Sequence, residues 1–509
     1  MSVNALQHWS NVLYEHPRTL VLGGIASYVA YGYLGCATAQ QRRAWFRPVT
    51  LTLSSIMTVV GFGVHLVDDV RDAIQDGRTA VWQQAMKALQ QFLQESNLDD
   101  EFDATLSSSH LLPSLMALTD LQNKVQRERR VDLRLVEANA TNLTKVLQQG
   151  QHYMRFATAV YGPEMMASTE LAVYDSVLGI PTDDNHHTRI INHCQLDRDK
   201  CKIWCDYTRD PTTAQVSHAQ HCLLVCDDAR QQVILTVRGT FSLSGIITDL
   251  AGYCEPFCGG QAHAGMAVAA RETWDTLWQD ILQPQMQALP ATYDLVITGH
   301  SLGAGVACLI NILVHDRVAQ GHLPELQGRR ISCWAMAPPP VFSPLSAAPT
   351  AVANTVAFVH QYDCVPSLSV DAIRKLMACL DRLQAVLAKH PVWEMAVQRW
   401  ELGEPQPELV AAYAAPKEQP LRPLERAPML VVPAKQLVWL EKQVAADTRQ
   451  VTGYLAHALD PVKYADRVLD LELPDCVADH LTTEYETAFA KLLGAGKYKS
   501  NNSKQSDNN

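Results

Sequence analysis

Ser301 stands between two glycines in ITGHSLGAG, residues 297–305, with an apolar run on either side. G-x-S-x-G between a strand and a helix is the pattern of a nucleophile elbow. The serine takes a strained turn, and Gly299 and Gly303 let strand and helix approach without a Cβ clash. His300 completes the elbow. A serine hydroxyl is a weak nucleophile near neutral pH; it needs a base, and the base needs an orienting acid. The chain order in this arrangement is serine, then aspartate or glutamate, then histidine. Asp363, in TVAFVHQYDCVP, ends an apolar run just before a proline, and His480, in LPDCVADHLTTEY, follows late in the chain. The reading is therefore Ser301 as nucleophile, Asp363 as acid and His480 as base. His360, His390 and His457 are the other candidates for the base, with His390 in an insertion and His457 in an expected helix. Asp371, Asp475 and Asp479 compete with Asp363 for the acid.

This chemistry is acyl transfer, and its tetrahedral intermediate needs two donors for a developing oxyanion. One is the backbone N–H of Leu302, directly after the nucleophile. The other is expected from the loop VRGTFS, residues 237–242, where Gly239 allows the turn and Thr240 offers its N–H and its hydroxyl.

These residues need a scaffold. HCLLVCDD (221–228) and QVILTVRG (232–239) read as paired strands, and YDLVITG (293–299) as a strand running into Ser301. VACLINILVHDRV (306–318) reads as a helix, and RRISCWAMA (329–337) and TVAFVHQYD (355–363) as further strands. Short apolar runs alternating with helical stretches predict an α/β sheet covered by helices.

Residues 19–41 contain no charge, and residues 48–67 none apart from a neutral His65. Each is long enough to cross a hydrocarbon core of roughly 30 Å. The pair reads as a membrane hairpin, residues 1–72, in preference to two buried core helices. Arg42, Arg43 and Arg47 in the connecting loop would place that loop on the cytoplasmic side if the hairpin crosses fully. Residues 73–150 read as a helical linker or collar, residues 151–495 as the catalytic domain and residues 496–509 as a disordered tail.

The chain has 509 residues and a net charge of −11, which argues against nucleic acid as its main partner, because phosphate binding needs a basic surface. Its 13 cysteines are scattered; Cys201/Cys205 and Cys254/Cys258 are each four apart, match no strong zinc spacing, and read as structural thiols. No metal-ligand cluster is evident, and the expected chemistry requires no cofactor, although calcium stimulation is left open.

VRGT…TDL, then AHAGM, VITGHSLGAGVA, YDCVP and ADHL, in that order, resemble the class-3 (fungal-type) lipases. Among these the chain is most similar to the sn-1-specific diacylglycerol lipases. APMLVVPAKQLVWL (427–440) resembles the strand before the catalytic histidine of those enzymes. The resemblance covers roughly 150 to 495. It implies an α/β-hydrolase fold, ester hydrolysis of a glycerolipid at a membrane or droplet surface, and the same triad. It also implies Thr240 and Leu302 as the oxyanion hole, with Asp249 bracing the Thr240 hydroxyl. The expected activity is a membrane-associated lipase acting on diacylglycerol or a related glycerolipid. The alternatives are a phospholipase A1 or monoacylglycerol-type esterase, and a catalytically inactive membrane scaffold. The sequence departs from the family in two ways: it shows two N-terminal spans rather than four, and residues 371–428 insert between acid and base. That insertion carries an amphipathic helix with Leu376, Met377, Leu380, Leu383 and Leu387 on one face, and reads either as a lid or as packed decoration.

Overall fold

The computed structural model describes residues 140–162, 183–205, 220–239, 254–389, 406–414, 429–444, 451–465 and 479–494, with isolated positions between 105 and 122. The chain divides into two compact units, residues 1–77 with 390–406 and residues 78–389 with 407–509. Apart from Gln406, every described residue falls in the second. The expected membrane hairpin, Thr240, Asp249, His390, Asp475 and the C-terminal tail lie outside the described residues.

The main sheet is assembled from β1 (Cys201–Cys205), β2 (Cys222–Asp227), β3 (Gln232–Val237), β6 (Asp294–His300), β7 (Ile331–Met336), β9 (Thr355–His360), β10 (Gln436–Val444) and β11 (Val451–Leu459), in that spatial order. β4 (Cys254–Phe257), β5 (Gly260–His263) and β8 (Phe342–Ser343) form a separate small sheet. From β3 through β6, β7 and β9 to β10 every pairing is parallel, while β1–β2, β2–β3 and β10–β11 are antiparallel. A parallel centre requires cover on both faces, and its strands read as unbroken apolar runs. β7 obeys this, being buried along its whole length, and β6 is buried from Leu295 to His300.

The helices supply that cover. On one face lie α1 (Ala140–Ala159), α2 (Asp183–Cys194) and α6 (Thr482–Leu492). Phe156, Ala157, Ile190, Tyr485 and Phe489 there meet Ile234, Val296, Trp334, Phe358 and Val438 of the strands in one core. α1 runs across the expected boundary at 150, and Val146 and Leu147 are part of this core, so the end of the collar is a layer of the catalytic domain. On the other face lie α3 (Ala264–Leu277) and α4 (Leu302–Ala319). Side chains alternate along a strand. Trp334 and Met336 of β7 therefore face α1, while Cys333, just before them, faces α4, where it meets Cys308. Among the described residues α4 alone is long and apolar enough to cross a membrane, but it is mostly buried, which is the condition of a core helix. α5 (Val370–Leu387) begins at Ser369, whose hydroxyl accepts from the Ala372 N–H. Its apolar face, Leu376, Met377, Leu380, Leu383 and Leu387, is buried. His457, expected in a helix, sits instead in β11, where its ring pairs with Glu441. The apolar and small residues around it fit either period, and pairing with β10 decides.

Ser301, Ala337 and Gln361 each immediately follow a parallel strand, β6, β7 and β9, and each has a positive φ. Each also donates its N–H one strand further along: Ser301 to Met336 O at 2.9 Å, Ala337 to Phe358 O at 2.9 Å, Gln361 to Leu440 O at 2.9 Å. Three adjacent strands thus leave the sheet through the same left-handed kink at the same level. The carboxyl end of the sheet becomes a ledge, which is where open α/β sheets carry their sites.

Candidate active site

The site is built on that ledge. Ser301 has φ 60° and ψ −135°, a conformation that costs a non-glycine residue about 1–3 kcal/mol. Its neighbours show why the flanking residues are glycine. A Cβ on Gly299 would lie 2.6 Å from Gly303 O, and one on Gly303 would lie 2.3 Å from Val237 O and 2.7 Å from Gly239 N. The close approach of β6, α4 and the end of β3 leaves no volume for a side chain.

Asp363 follows β9 in a turn closed by its own N–H to His360 O at 2.9 Å. His480 lies just before α6. The fold joins these distant segments: His480 Nε2 is 2.9 Å from Ser301 Oγ, and His480 Nδ1 is 2.9 Å and 3.0 Å from the two Asp363 carboxylate oxygens. A carboxylate only accepts, so Nδ1 carries the proton and Nε2 presents a lone pair to the serine hydroxyl. The Asp363 side chain is fully buried and the His480 side chain is 12% exposed. Tyr485 donates to Asp363 Oδ2 at 2.7 Å, and the Val365 N–H donates to Oδ1 at 3.0 Å. The Tyr485 oxygen in turn accepts the His360 N–H at 2.9 Å. Burial, and then the Asp363 charge, push the Tyr485 hydroxyl well above its ordinary pKa, so it stays a donor.

The residues flanking His480 are also held. Asp479 accepts from the Tyr362 N–H at 3.1 Å and from Lys442 Nζ at 2.6 Å, and its carbonyl accepts from His360 Nδ1 at 3.0 Å. The His480 carbonyl accepts from His300 Nε2 at 2.8 Å. Asp479, a candidate acid in the sequence, is thus committed to Lys442 and the backbone. His360 is committed to Asp479, and burial followed by the nearby Lys442 charge lowers its pKa to about 3, keeping it neutral. The Asp371 side chain is outside the described residues.

Leu302 opens α4, and the first N–H groups of a helix have no acceptor within it. Its N–H lies directly after Ser301, at the positive end of the helix dipole. Among the described residues, His360, Asp479 and Glu484 form the one cluster of metal-ligand type. Lys442 lies 2.6 Å from Asp479 and 2.7 Å from Glu484, so the chain's own ammonium neutralises the acidic pair.

Residues 234–372 match the family model described as Lipase (class 3), a span holding both Ser301 and Asp363. Over that span the chain is similar to the class-3 lipases. It is 26% identical to diacylglycerol lipase-beta of Mus musculus over 308 residues, covering 55% of this chain and 44% of the mouse protein. It is 27% identical to diacylglycerol lipase-alpha of Rattus norvegicus over 206 residues, covering 36% of this chain and 18% of the rat protein. The chain therefore spans less than half the length of these curated relatives. The crystal structure of a lipase from Rhizopus microsporus var. chinensis is similar at 19% identity and a TM-score of 0.34, over 47% of this chain and 72% of that one.

Sequence reasoning did not find Tyr161, Lys442 or Tyr485, and it gave His300 no task beyond the elbow. Tyr485 lies one helical turn beyond His480, and that short spacing is the only mark it bears. Tyr161 is far from the motifs in sequence, and Lys442, although close to the 427–440 stretch, reaches Asp479 only through packing.

Proposed function

We propose that this chain is a serine hydrolase that cleaves an acyl ester of a glycerolipid, with diacylglycerol as the preferred class. The Ser301–His480–Asp363 chain of hydrogen bonds carries the reading. Ser301 Oγ attacks the ester carbonyl while His480 Nε2 takes its proton. Asp363 keeps the imidazole in the Nδ1–H tautomer and stabilises the imidazolium. The Leu302 N–H, with Thr240 as the second donor and Asp249 as its brace, would hold the oxyanion. His480 then protonates the departing alcohol, leaving an acyl-Ser301 ester. Water, deprotonated by His480, attacks this ester and releases the fatty acid. The likeness to proteins named diacylglycerol lipases supports the substrate class. The two uncharged N-terminal stretches support association with a membrane, where this substrate resides. Residues 371–428 enter the proposal as a regulatory element, in which α5 would have to give up the burial of its apolar face to move.

Full-length protein and its Ser301→Ala variant should be incubated with diacylglycerol and, separately, with phosphatidylcholine, and fatty-acid release measured. Release from diacylglycerol that disappears in the variant supports both substrate and nucleophile. Release from phosphatidylcholine alone keeps the mechanism and moves the substrate to a phospholipase. Absence of release, together with absence of fluorophosphonate labelling, overturns the enzyme reading in favour of a scaffold.

A further inference from the structure

Tyr161 lies just past the end of α1, far from the triad in sequence. Its hydroxyl is 3.2 Å from His300 Nδ1 and 3.4 Å from His300 O, and it also takes a hydrogen bond from the Gly239 N–H. His300 Nε2 lies 2.8 Å from the His480 carbonyl. A carbonyl cannot donate, so Nε2 carries the ring proton, and Nδ1 accepts from the Tyr161 hydroxyl. The partners on both sides thus fix one neutral tautomer. Burial, and after it the proximity of His480, hold the His300 pKa well below the ordinary histidine value. The hydrogen bonds run without a break from the Gly239 N–H to the Tyr161 hydroxyl, through the His300 ring, to the His480 carbonyl.

This path joins three segments that must agree for the chemistry to work. Gly239 immediately precedes Thr240 of the expected oxyanion loop, His300 immediately precedes the nucleophile, and the His480 carbonyl belongs to the base itself. Space at the junction is tight: a Cβ on Gly239 would lie 2.5 Å from the Tyr161 hydroxyl and 2.6 Å from His300 O. The His300 and His480 rings are 4.6 Å apart, centroid to centroid. A neutral His300 places no like charge beside the imidazolium that forms when Ser301 attacks.

We propose that Tyr161 and His300 are positioning residues that set the base-bearing loop and the oxyanion loop in register with Ser301. This rests on the reading of Ser301 as a nucleophile. Neither residue touches the reacting atoms; His300 acts through the His480 carbonyl, and Tyr161 through His300 and the Gly239 N–H. Their value lies in the sensitivity of the reaction to small displacements, since a slip of about 1 Å can cost on the order of 100-fold in rate.

The test compares wild type with His300→Phe, His300→Gln, Tyr161→Phe, the Tyr161→Phe/His300→Phe double variant and Ser301→Ala. The readouts are hydrolysis of a short-chain p-nitrophenyl ester, the rate of fluorophosphonate labelling, and Tm. His300→Phe keeps the volume and loses both hydrogen bonds, and is expected to lower kcat by about 10- to 100-fold with KM changed less than about threefold. His300→Gln can still donate to the His480 carbonyl and accept from Tyr161, and should recover most of that loss at an unchanged Tm. Tyr161→Phe should cost about 3- to 10-fold, and the double variant should fall no further than His300→Phe, because both act on one path. If Ser301→Ala is inactive while His300→Phe works within about twofold of wild type, the positioning role is overturned and the nucleophile stands. If Ser301→Ala retains activity, the underlying reading fails instead. Should His300→Phe not fold, Tyr161→Phe at the wild-type rate overturns the proposal.

Discussion

Gly303→Ala tests the elbow most directly, because one methyl group is aimed at the backbone of residues 237–239. The added Cβ would lie 2.3 Å from Val237 O, 2.7 Å from Arg238 C and 2.7 Å from Gly239 N. Unstrained contact needs about 3.5 Å, so α4 and the end of β3 must separate by roughly 1 Å. None of the three atoms can swing away, as the tip of a side chain could. Forcing extra volume into a packed interior costs about 1–3 kcal/mol, and for a domain of this size each kcal/mol lowers Tm by roughly 2–4 °C. The expected fall in Tm is therefore a few degrees to about 12 °C. The effect on rate should be larger in proportion, because the displaced atoms carry the site. Moving α4 moves Ser301 and the Leu302 N–H, and moving β3 moves Gly239 and the loop after it. A displacement of about 1 Å should slow fluorophosphonate labelling on the order of 100-fold. The assay is the second-order labelling rate beside a thermal melt of the same preparation. Labelling at the wild-type rate with an unchanged Tm would refute the steric argument, and with it the explanation for G-x-S-x-G.

Other perturbations have equally definite outcomes. Asp363→Asn should leave the fold intact and lower kcat by about 10⁴-fold, since an amide can hold His480 in the wrong tautomer; ester hydrolysis with a circular-dichroism control checks this. Tyr485→Phe removes the 2.7 Å bond to Asp363 and the acceptor of the His360 N–H. It should cost about 1–3 kcal/mol of stability in denaturant titration and about tenfold in kcat. Lys442 is partly buried, which opposes its charge, but Asp479 and Glu484 outweigh this and hold its pKa above the ordinary lysine value. Its pairing therefore contributes fully below about pH 10 and is lost only as pH rises further, and Lys442→Met should be less stable than wild type by about 3 kcal/mol at pH 7 in urea unfolding. Burial lowers the pKa of His152 and of His360 to about 3, with Arg230 and Lys442 respectively adding to the effect. The unfolded chain protonates these residues near pH 6.5, so their contribution is complete above that pH. It is lost on acidification toward pH 3 at about 1.4 kcal/mol per pH unit each, and His360→Gln should make urea stability between pH 6 and 4 visibly less steep.

The strands were legible because a parallel sheet buried on both faces leaves unbroken apolar runs, as VIL in β3 and LVI in β6 do. Ser301, Asp363 and His480 were legible because elbow, strand end and late histidine occur in a fixed chain order. Asp363 was favoured over Asp479 because it closes a strand ahead of a proline, but the contact that commits Asp479 elsewhere was not legible. What separates them is Lys442, a residue on β10 that no local pattern ties to residue 479. His457 was misassigned because GYLAHAL offers small and apolar residues that suit a helix or an edge strand, and only the backbone pairing with β10 distinguishes them. The Tyr161 path left no trace in the sequence, because it joins α1, β6 and the turn before α6 by packing alone.

The separation of nucleophile and base along the chain has a consequence for biosynthesis. His480 leaves the ribosome 179 residues after Ser301, and the strand pair that anchors its loop is made between them. At about 5–20 residues per second, that interval is on the order of 10–35 s. Throughout it the nascent polypeptide holds a complete elbow with no base to activate it. If Ser301 is the nucleophile proposed above, the chain would thus be unable to attack an acyl ester until synthesis was nearly finished.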